Sequence, residues 1–385
     1  MPGGTDFSLV DGGPLVALLR RIGWRRPDGR VDYLRVCTVL VAIAWGPLLV
    51  AMVSARLVGG QSFPIDWGVH ARLLVAIPLL LRADVSLHAR TRFVASQLVA
   101  DGWVAAQQER FDRIVASAIR HRDSIFPEVV LLCLALLASE FVVWNLGGTP
   151  FLTRRLTMDR HLLAARWWYA LVALPMFQFL VYRALWRWAI WVQMLWRLSR
   201  LRLQPTATHP DLAGGLEFLS WPSIGFGHVV GALAAAQAGV WANQVLYAGV
   251  KVTDLKAQGV VFIIAGVVVA LGPLLFLSAR LWHCKIEGQH EYGSLATDYT
   301  RMFQARWFAR RDRDDVLGSA DIQSLADLGN ASEIVSKMRL VPFGPRAVIT
   351  VAAAAAAPMV PVALLGVPLP ELLAKLAGTL IGKPG

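Results

Sequence analysis

Long apolar runs of membrane-crossing length alternate with short basic segments along the whole chain. The clearest runs cover residues 33–53, 125–146, 167–181, 228–250, 259–281 and 347–367. The bilayer core offers no water to unpaired backbone groups, so a run of about 20 apolar residues has to be helical there. The pattern therefore predicts an all-α polytopic transmembrane helix bundle of six or seven spans, most of it within residues 33–281.

Two segments leave the number of spans open. Residues 67–87 contain Pro78 and two arginines, Arg72 and Arg82. They either cross, with the arginines reaching toward opposite interfaces, or form a re-entrant segment. The last apolar run, in the C-terminal part 346–385, is interrupted by prolines and carries the same alternative.

Two polar stretches keep helical spacing and are predicted to be cytoplasmic. Residues 85–124 repeat apolar side chains at helical intervals, which predicts an amphipathic helix lying on the membrane or packed under the bundle. Residues 282–345 are predicted to be a small helical segment. There Ser319 or Asp321 is expected to start a helix that Gly329 ends.

The charge distribution indicates the orientation and the partner. The chain has a net charge of +12, with 56% hydrophobic and 17% charged residues, which is too apolar for an ordinary soluble protein. Basic residues concentrate in the N-terminal part, 1–32, and in the other segments predicted to be cytoplasmic, which favours a cytoplasmic N-terminus. The predicted partner is the lipid bilayer and not nucleic acid, and a second copy or another membrane protein is a further alternative.

No cofactor is predicted. The three cysteines lie in or beside separate apolar runs and form no disulfide framework or paired metal site. Neither a phosphate loop nor a haem-attachment motif is present.

Six stretches spread over nearly the whole chain carry a resemblance: FSLVDGGPLVALLRRIGW, VHARLLVAIPLLLRAD, THPDLAGGLEFL, LGSADIQSLADL, SKMRLVPFGP and VPLPELLAKL. They resemble an uncharacterised family of bacterial multi-pass membrane proteins. The resemblance implies a location in the bacterial inner (plasma) membrane. The family has no established activity, so the resemblance assigns no functional residue.

Ionisable side chains inside the predicted spans are the first functional candidates, because each is costly in hydrocarbon. Arg72 and Glu140 are expected toward the outer side, and Gln178 lies between the two layers. The inner layer contains Arg82, Asp84, Glu128, Arg183 and Arg187. Opposite charges at matching depth can neutralise each other. The set predicts either a polar pathway in the bundle or fixed structural pairs; Glu140→Gln should destabilise the bundle if it leaves Arg72 unpaired.

The most distinctive loop sequence is His209-Pro210-Asp211, followed by Gly214 and Gly215. The tripeptide also occurs in J-domain co-chaperones, but the rest of such a domain is not evident. The physical prediction is a structured turn in which Asp211 bonds the backbone and the glycines allow close approach. Binding of a ligand near a cytoplasmic vestibule is the alternative.

Two further patterns have a chemical and a structural interpretation. His283, Glu287 and His290 would share one helix face and are weak candidates for a metal site; a solvated face is favoured, and no metal is predicted. Small residues recur every four positions in the fifth span, which predicts close helix packing. These are Gly227, Gly231, Ala235 and Gly239.

A channel or transporter for a small solute or ion is the leading functional hypothesis, and it predicts a cavity reaching the mid-membrane. No internal repeat of the kind common in transporters is evident from the sequence. A membrane scaffold or sensor is the alternative and predicts an exposed apolar groove along 85–124. A membrane-embedded enzyme is less favoured and would gather His209, Asp211, His228 and the 283–291 face around one pocket.

Overall fold

The computed structural model describes residues 7–24, 31–59, 65–144, 163–308 and 320–365. In these ranges the regular segments are helices, so the all-α class is confirmed. The first half contains α1 (Pro14–Arg21), α2 (Tyr33–Gly59), α3 (Trp67–His70, a π turn at Ala71–Ala76, then Ile77–Ala100), α4 (Gln108–Asp123) and α5 (Ile125–Trp144).

The second half begins with α6, a continuous helix made of Leu163–Trp168, a π turn at Tyr169–Ala173 and Leu174–Leu198. It continues with α7 (Ser220–Gly225), α8 (Gly227–Ala248), α9 (Val252–Leu271), a 3₁₀ segment at Gly272–Leu277, α10 (Ser278–Trp307), α11 (Ala320–Lys337), α12 (Pro345–Ala356), a short 3₁₀ turn and α13 (Val360–Leu364).

Five of the described helical stretches are long and apolar enough to cross a membrane: Tyr33–Ser54, Ala164–Leu198, Glu217–Ala248, Val252–Trp307 and Pro345–Leu364. Ile125–Ser139 adds a shorter apolar helix. Helix α3, which contains the doubtful segment 67–87, is not among the five. The structure thus supports a membrane-crossing bundle without confirming the predicted six or seven spans.

Each of the two π turns ends two residues before a proline. Pro78 and Pro175 lack a backbone N–H, and their rings would clash with the carbonyl four residues earlier in a regular α-helix. A π turn shifts the preceding hydrogen bonds and accommodates the ring. The local sequences are LVAIP and LVALP, so α3 and α6 share a short repeat in both sequence and backbone geometry.

The second part of the amphipathic stretch, α4, packs against the bundle. The apolar face of α4 (Phe111, Ile114, Val115 and Ala118) is buried, and α4 contacts α6. The apolar face of the α4 part of 85–124 is therefore covered by the protein's own side chains, whereas Val85 and Phe93 on the α3 part are each 37% exposed.

The small-residue row of α8 makes the close contacts that its spacing predicts. A Cβ at Gly239 would lie 2.5 Å from the carbonyl oxygen of Trp67 and 2.9 Å from the Cα of Gly68, at the start of α3. A Cβ at Gly231 would lie 2.9 Å from the carbonyl oxygen of Ala354 on α12. Packing against two neighbouring helices is thus confirmed as a role of this row.

A buried polar contact fixes the start of α3 beside this row. The Asp66 carboxylate caps the helix by accepting a hydrogen bond from the Val69 backbone at 3.1 Å. Asn243 of α8 donates to the same carboxylate at 2.9 Å and accepts from the Trp67 backbone at 3.0 Å. The first turn of α3 is therefore held to α8 by both packing and hydrogen bonds.

The predicted helical segment after residue 282 is present but ends differently. Helix α11 passes through Gly329 and continues to Lys337, so the prediction that Gly329 ends it is wrong. Val335, which is 1% exposed, packs against Gly288 of α10. Burial of that later turn outweighs the cost of about 1 kcal/mol for glycine inside a helix.

Candidate functional site

Four of the predicted intramembrane charges meet in one ionic network between α3, α5 and α6. Arg183 of α6 lies at the centre: its Nη1 is 3.2 Å from Asp84 Oδ2 and its Nε is 3.3 Å from Glu128 Oε1. Arg187, one turn along α6, pairs with the other oxygen of Asp84. Two carboxylates and two guanidinium groups balance in charge.

The network is almost fully withdrawn from the surface. Asp84 and Arg183 are each 5% exposed and Arg187 is 3% exposed. Isolated charges in such a position would be very costly, and mutual pairing is what makes them tolerable. One donor group is left over, because Nη2 of Arg183 is buried and has no hydrogen-bond partner among the described residues.

The N-terminal segment closes one side of this network, which sequence reasoning missed. The Leu15 backbone donates to Glu128 Oε2 at 3.0 Å, and Arg122 donates to the Ser8 carbonyl at 2.6 Å. Phe7 and Leu9 are 2% and 0% exposed. The short, mostly apolar sequence FSLV was the only signal for this burial. Residues 7–10 are thus buried in the bundle, although the segment 1–32 was predicted to be a basic cytoplasmic end.

Arg72, the outer arginine, has a hydrogen-bond partner that the sequence did not predict. Arg72 Nη1 donates to the Tyr169 hydroxyl at 3.0 Å, and this tyrosine is 2% exposed. The Glu140 side chain lies outside the described residues, so its pairing with Arg72 stays a prediction. The sequence analysis did not predict a role for Tyr169. A signal was present, because Arg72 precedes Pro78 by six residues and Tyr169 precedes Pro175 by six residues.

The other two predicted polar residues lie apart from the network. The Gln178 side-chain oxygen is buried and has no hydrogen-bond partner in the part of the chain that the structure describes. Arg82 is exposed and, within the described ranges, has no ion pair or hydrogen bond. The network therefore includes four of the five inner-layer residues and neither Arg82 nor Gln178.

The His-Pro-Asp loop is a tightly bonded turn. Asp211 Oδ1 accepts from the backbones of Ala213 at 2.8 Å and Gly215 at 3.0 Å, and Oδ2 accepts from the backbone of Glu217 at 3.1 Å. Burial alone would raise the pKa of Asp211, but these donors and His209 outweigh it and hold the pKa below its usual value.

Glycines and a distant arginine complete this turn. Gly214 and Gly215 have φ values of 66° and 86°, which other residues rarely adopt. Arg339, after α11, donates to the Asp211 carbonyl at 2.5 Å and lies 3.2 Å from the Glu217 carboxylate. The turn thus ties the segment after α6 to the segment after α11, as a structural turn would.

The possible metal face does not form a site in the described part of the chain. His283, Glu287 and His290 are exposed on α10, and no group of three or more His, Cys, Asp or Glu side chains could hold a metal ion in these residues. The ring of His228 lies 3.1 Å from the Gly225 carbonyl. These residues are not brought together with His209 in the contacts that the structure describes.

Comparison with protein-family models, with curated proteins and with solved structures found no match to this chain. The resemblance to a bacterial family therefore stays a prediction. In the described part of the chain the fold is helical, with five helical stretches long and apolar enough to cross a membrane and a buried, charge-balanced centre between three helices.

Proposed function

We propose that the chain is a channel or transporter for a small solute or ion in the bacterial inner membrane, with its N-terminus in the cytoplasm. The observation that carries the proposal is the ionic network of Asp84, Glu128, Arg183 and Arg187, which joins three helices. Intramembrane ionisable groups are expensive to retain and commonly mark ion or solute pathways.

The two proline-linked π turns support this proposal. They lie within α3 and α6, the helices that supply Asp84 and both arginines, and π turns are frequent at functional sites. The Arg72–Tyr169 hydrogen bond joins the two turns, so we infer that it holds the closed arrangement and breaks when the pathway opens.

The proposal predicts that water reaches the buried oxygen of Gln178 during the transport cycle. A chain with Cys37, Cys133 and Cys284 removed would carry a single new cysteine, by Gln178→Cys. It would be treated in intact membranes with a membrane-impermeant maleimide. Leu185→Cys is the matched control. Leu185 is 40% exposed, on the side of α6 that we expect to face lipid.

Labelling at position 178 but not at position 185 supports a pathway. Absence of labelling at position 178, in a folded variant, contradicts it and makes the network a structural one. Loss of the Arg72–Tyr169 bond through Tyr169→Phe should increase the rate of labelling, because the closed arrangement is weakened.

A scaffold function remains a second candidate because of apolar side chains exposed on and beside α10. Leu295, Met302 and Phe308 are 54%, 62% and 68% exposed. Such residues fit self-association or binding to another membrane protein. Native mass spectrometry of the purified chain, with Leu295→Glu and Met302→Glu as disrupting variants, tests self-association. A monomer in the wild type contradicts it.

A further inference from the structure

A cavity of about 460 Å³ lies between the start of α2, the middle of α3 and the N-terminal segment. Tyr33, Leu34 and Cys37 of α2 form one wall, and Leu81, Arg82 and Val85 are among the α3 residues of the other. Its volume is in the range of about 300–1,000 Å³ that small-molecule sites occupy. None of the four residues of the ionic network lines it, although Tyr33 interacts electrostatically with Asp84, Arg183 and Arg187.

The cavity has an unbalanced positive charge. Arg82 has no ion pair or hydrogen bond among the residues that the structure describes. The carboxylate that also lines the cavity, Asp11, is paired with Arg20. His88 Nδ1 lies 2.8 Å from the Ser8 hydroxyl, so that ring nitrogen already has a partner. An anion beside Arg82 would balance the charge that the protein itself leaves uncompensated.

The rest of the wall is apolar and open toward the outside of the bundle. Leu34 is 72% exposed and Val85 is 37% exposed. Leu34 lies in the first turn of the apolar stretch Tyr33–Ser54, where a crossing helix meets the lipid headgroups. One cavity therefore offers a cation, Arg82, to a lipid headgroup and an apolar wall beside it to an acyl chain.

We propose that this cavity binds an anionic phospholipid taken from the surrounding bilayer. The phosphate lies against Arg82, whose planar guanidinium can donate two parallel hydrogen bonds, and Tyr33, which also lines the cavity, carries a hydroxyl group that could donate a further one. One acyl chain lies along Leu34 and Val85. Basic pockets at the membrane boundary are a known way for proteins to hold anionic headgroups. This inference is independent of the transport proposal.

The test uses the full chain in phosphatidylcholine nanodiscs with increasing mole fractions of phosphatidylglycerol. The unfolding temperature is followed by tryptophan fluorescence, and lipid retained on the protein is counted by native mass spectrometry. The variants are Arg82→Gln, Arg82→Lys and the control Arg120→Gln, which removes an exposed arginine on α4 that lines no part of this cavity.

The expected result is that phosphatidylglycerol raises the unfolding temperature of the wild type and of Arg120→Gln alike. Arg82→Gln should bind about 10- to 100-fold more weakly, as loss of charge-assisted hydrogen bonds implies. Arg82→Lys should be intermediate, because it keeps the charge and loses the bidentate geometry. This ordering supports the proposal, and it is judged on variants that fold equally well in pure phosphatidylcholine.

Any of three results would overturn the proposal. An equal response of Arg82→Gln and Arg120→Gln would mean that the lipid acts through general surface charge. Equal stabilisation by inorganic phosphate, without phosphatidylglycerol, would mean that the cavity binds a free anion. A fourth variant, Ala89→Phe, fills the cavity without changing its charge. Full lipid retention by this variant would also overturn the proposal.

Discussion

Substitution of Gly239 by alanine should loosen the contact between α8 and α3. The added methyl group would lie 2.5 Å from the Trp67 carbonyl oxygen and 2.8 Å from the Ala71 Cβ. The first of these neighbours is backbone and cannot rotate away, so the two helices must move apart. The movement would also disturb the hydrogen bonds between Asn243 and the Asp66 cap.

The expected cost can be worked out from three contributions. Overpacking of a tight contact costs about 1–3 kcal/mol. Weakening of the helix cap adds about 1 kcal/mol. Replacement of glycine by alanine inside a helix returns about 1 kcal/mol. Gly239→Ala should therefore lower the free energy of unfolding by about 1–3 kcal/mol.

Gly259→Ala in α9 is the matched control. Its nearest neighbours would be the Met359 sulfur at 3.8 Å and the Trp241 ring at 4.0 Å, which are ordinary contact distances. The control should gain up to about 1 kcal/mol from helix propensity alone. Both variants would be unfolded with sodium dodecyl sulfate in mixed micelles and followed by circular dichroism. If Gly239→Ala proves as stable as Gly259→Ala, the close-packing argument is wrong.

Three further predictions concern polar groups. Asp84→Asn should destabilise the bundle by about 3–5 kcal/mol, because it breaks the buried pairs with Arg183 and Arg187, whereas exposed Asp112→Asn should not; equal unfolding curves would contradict the network. Tyr169→Phe should cost about 1.5–3 kcal/mol in the same assay by removing the acceptor of the Arg72 bond, and a neutral effect would show that the bond contributes nothing. The pKa of Asp211 is lowered in the folded protein. The stability that its ionised carboxylate contributes is therefore fully present above its ordinary pKa of about 4 and is lost as pH falls through the lowered value. Asp211→Asn should therefore be less stable at neutral pH and lose less stability on acidification, and parallel pH profiles of variant and wild type would refute this.

Helix type and the main apolar stretches followed from the sequence because both depend on local composition. The grouping of Asp84, Glu128 and Arg183 was foreseeable in part, since equal depth and opposite sign bring such residues together once a topology is assumed. That these residues form one network joining three helices could not be foreseen, because the depth of a residue in the membrane does not show which helix faces meet.

Other features depended on packing between distant segments. Helix α11 runs through Gly329 because Val335 is buried against α10, and no local signal records that burial. The insertion of Phe7 and Leu9 into the bundle is decided by a space that other helices create. The Arg72–Tyr169 bond could have been found from the LVAIP and LVALP repeat, which is short enough to be overlooked among many similar apolar residues.

The helical stretch Val252–Trp307 contains 56 residues, far more than the roughly 20 that a bilayer requires. Its polar part, α10, has 30 residues and is about 45 Å long at 1.5 Å per residue. If such a helix tilted by about 10° at one end, its other end would move by about 8 Å. Because α11 folds back along this helix, small rearrangements within the bilayer would be magnified at the tip, where a fluorescent label would detect them most easily.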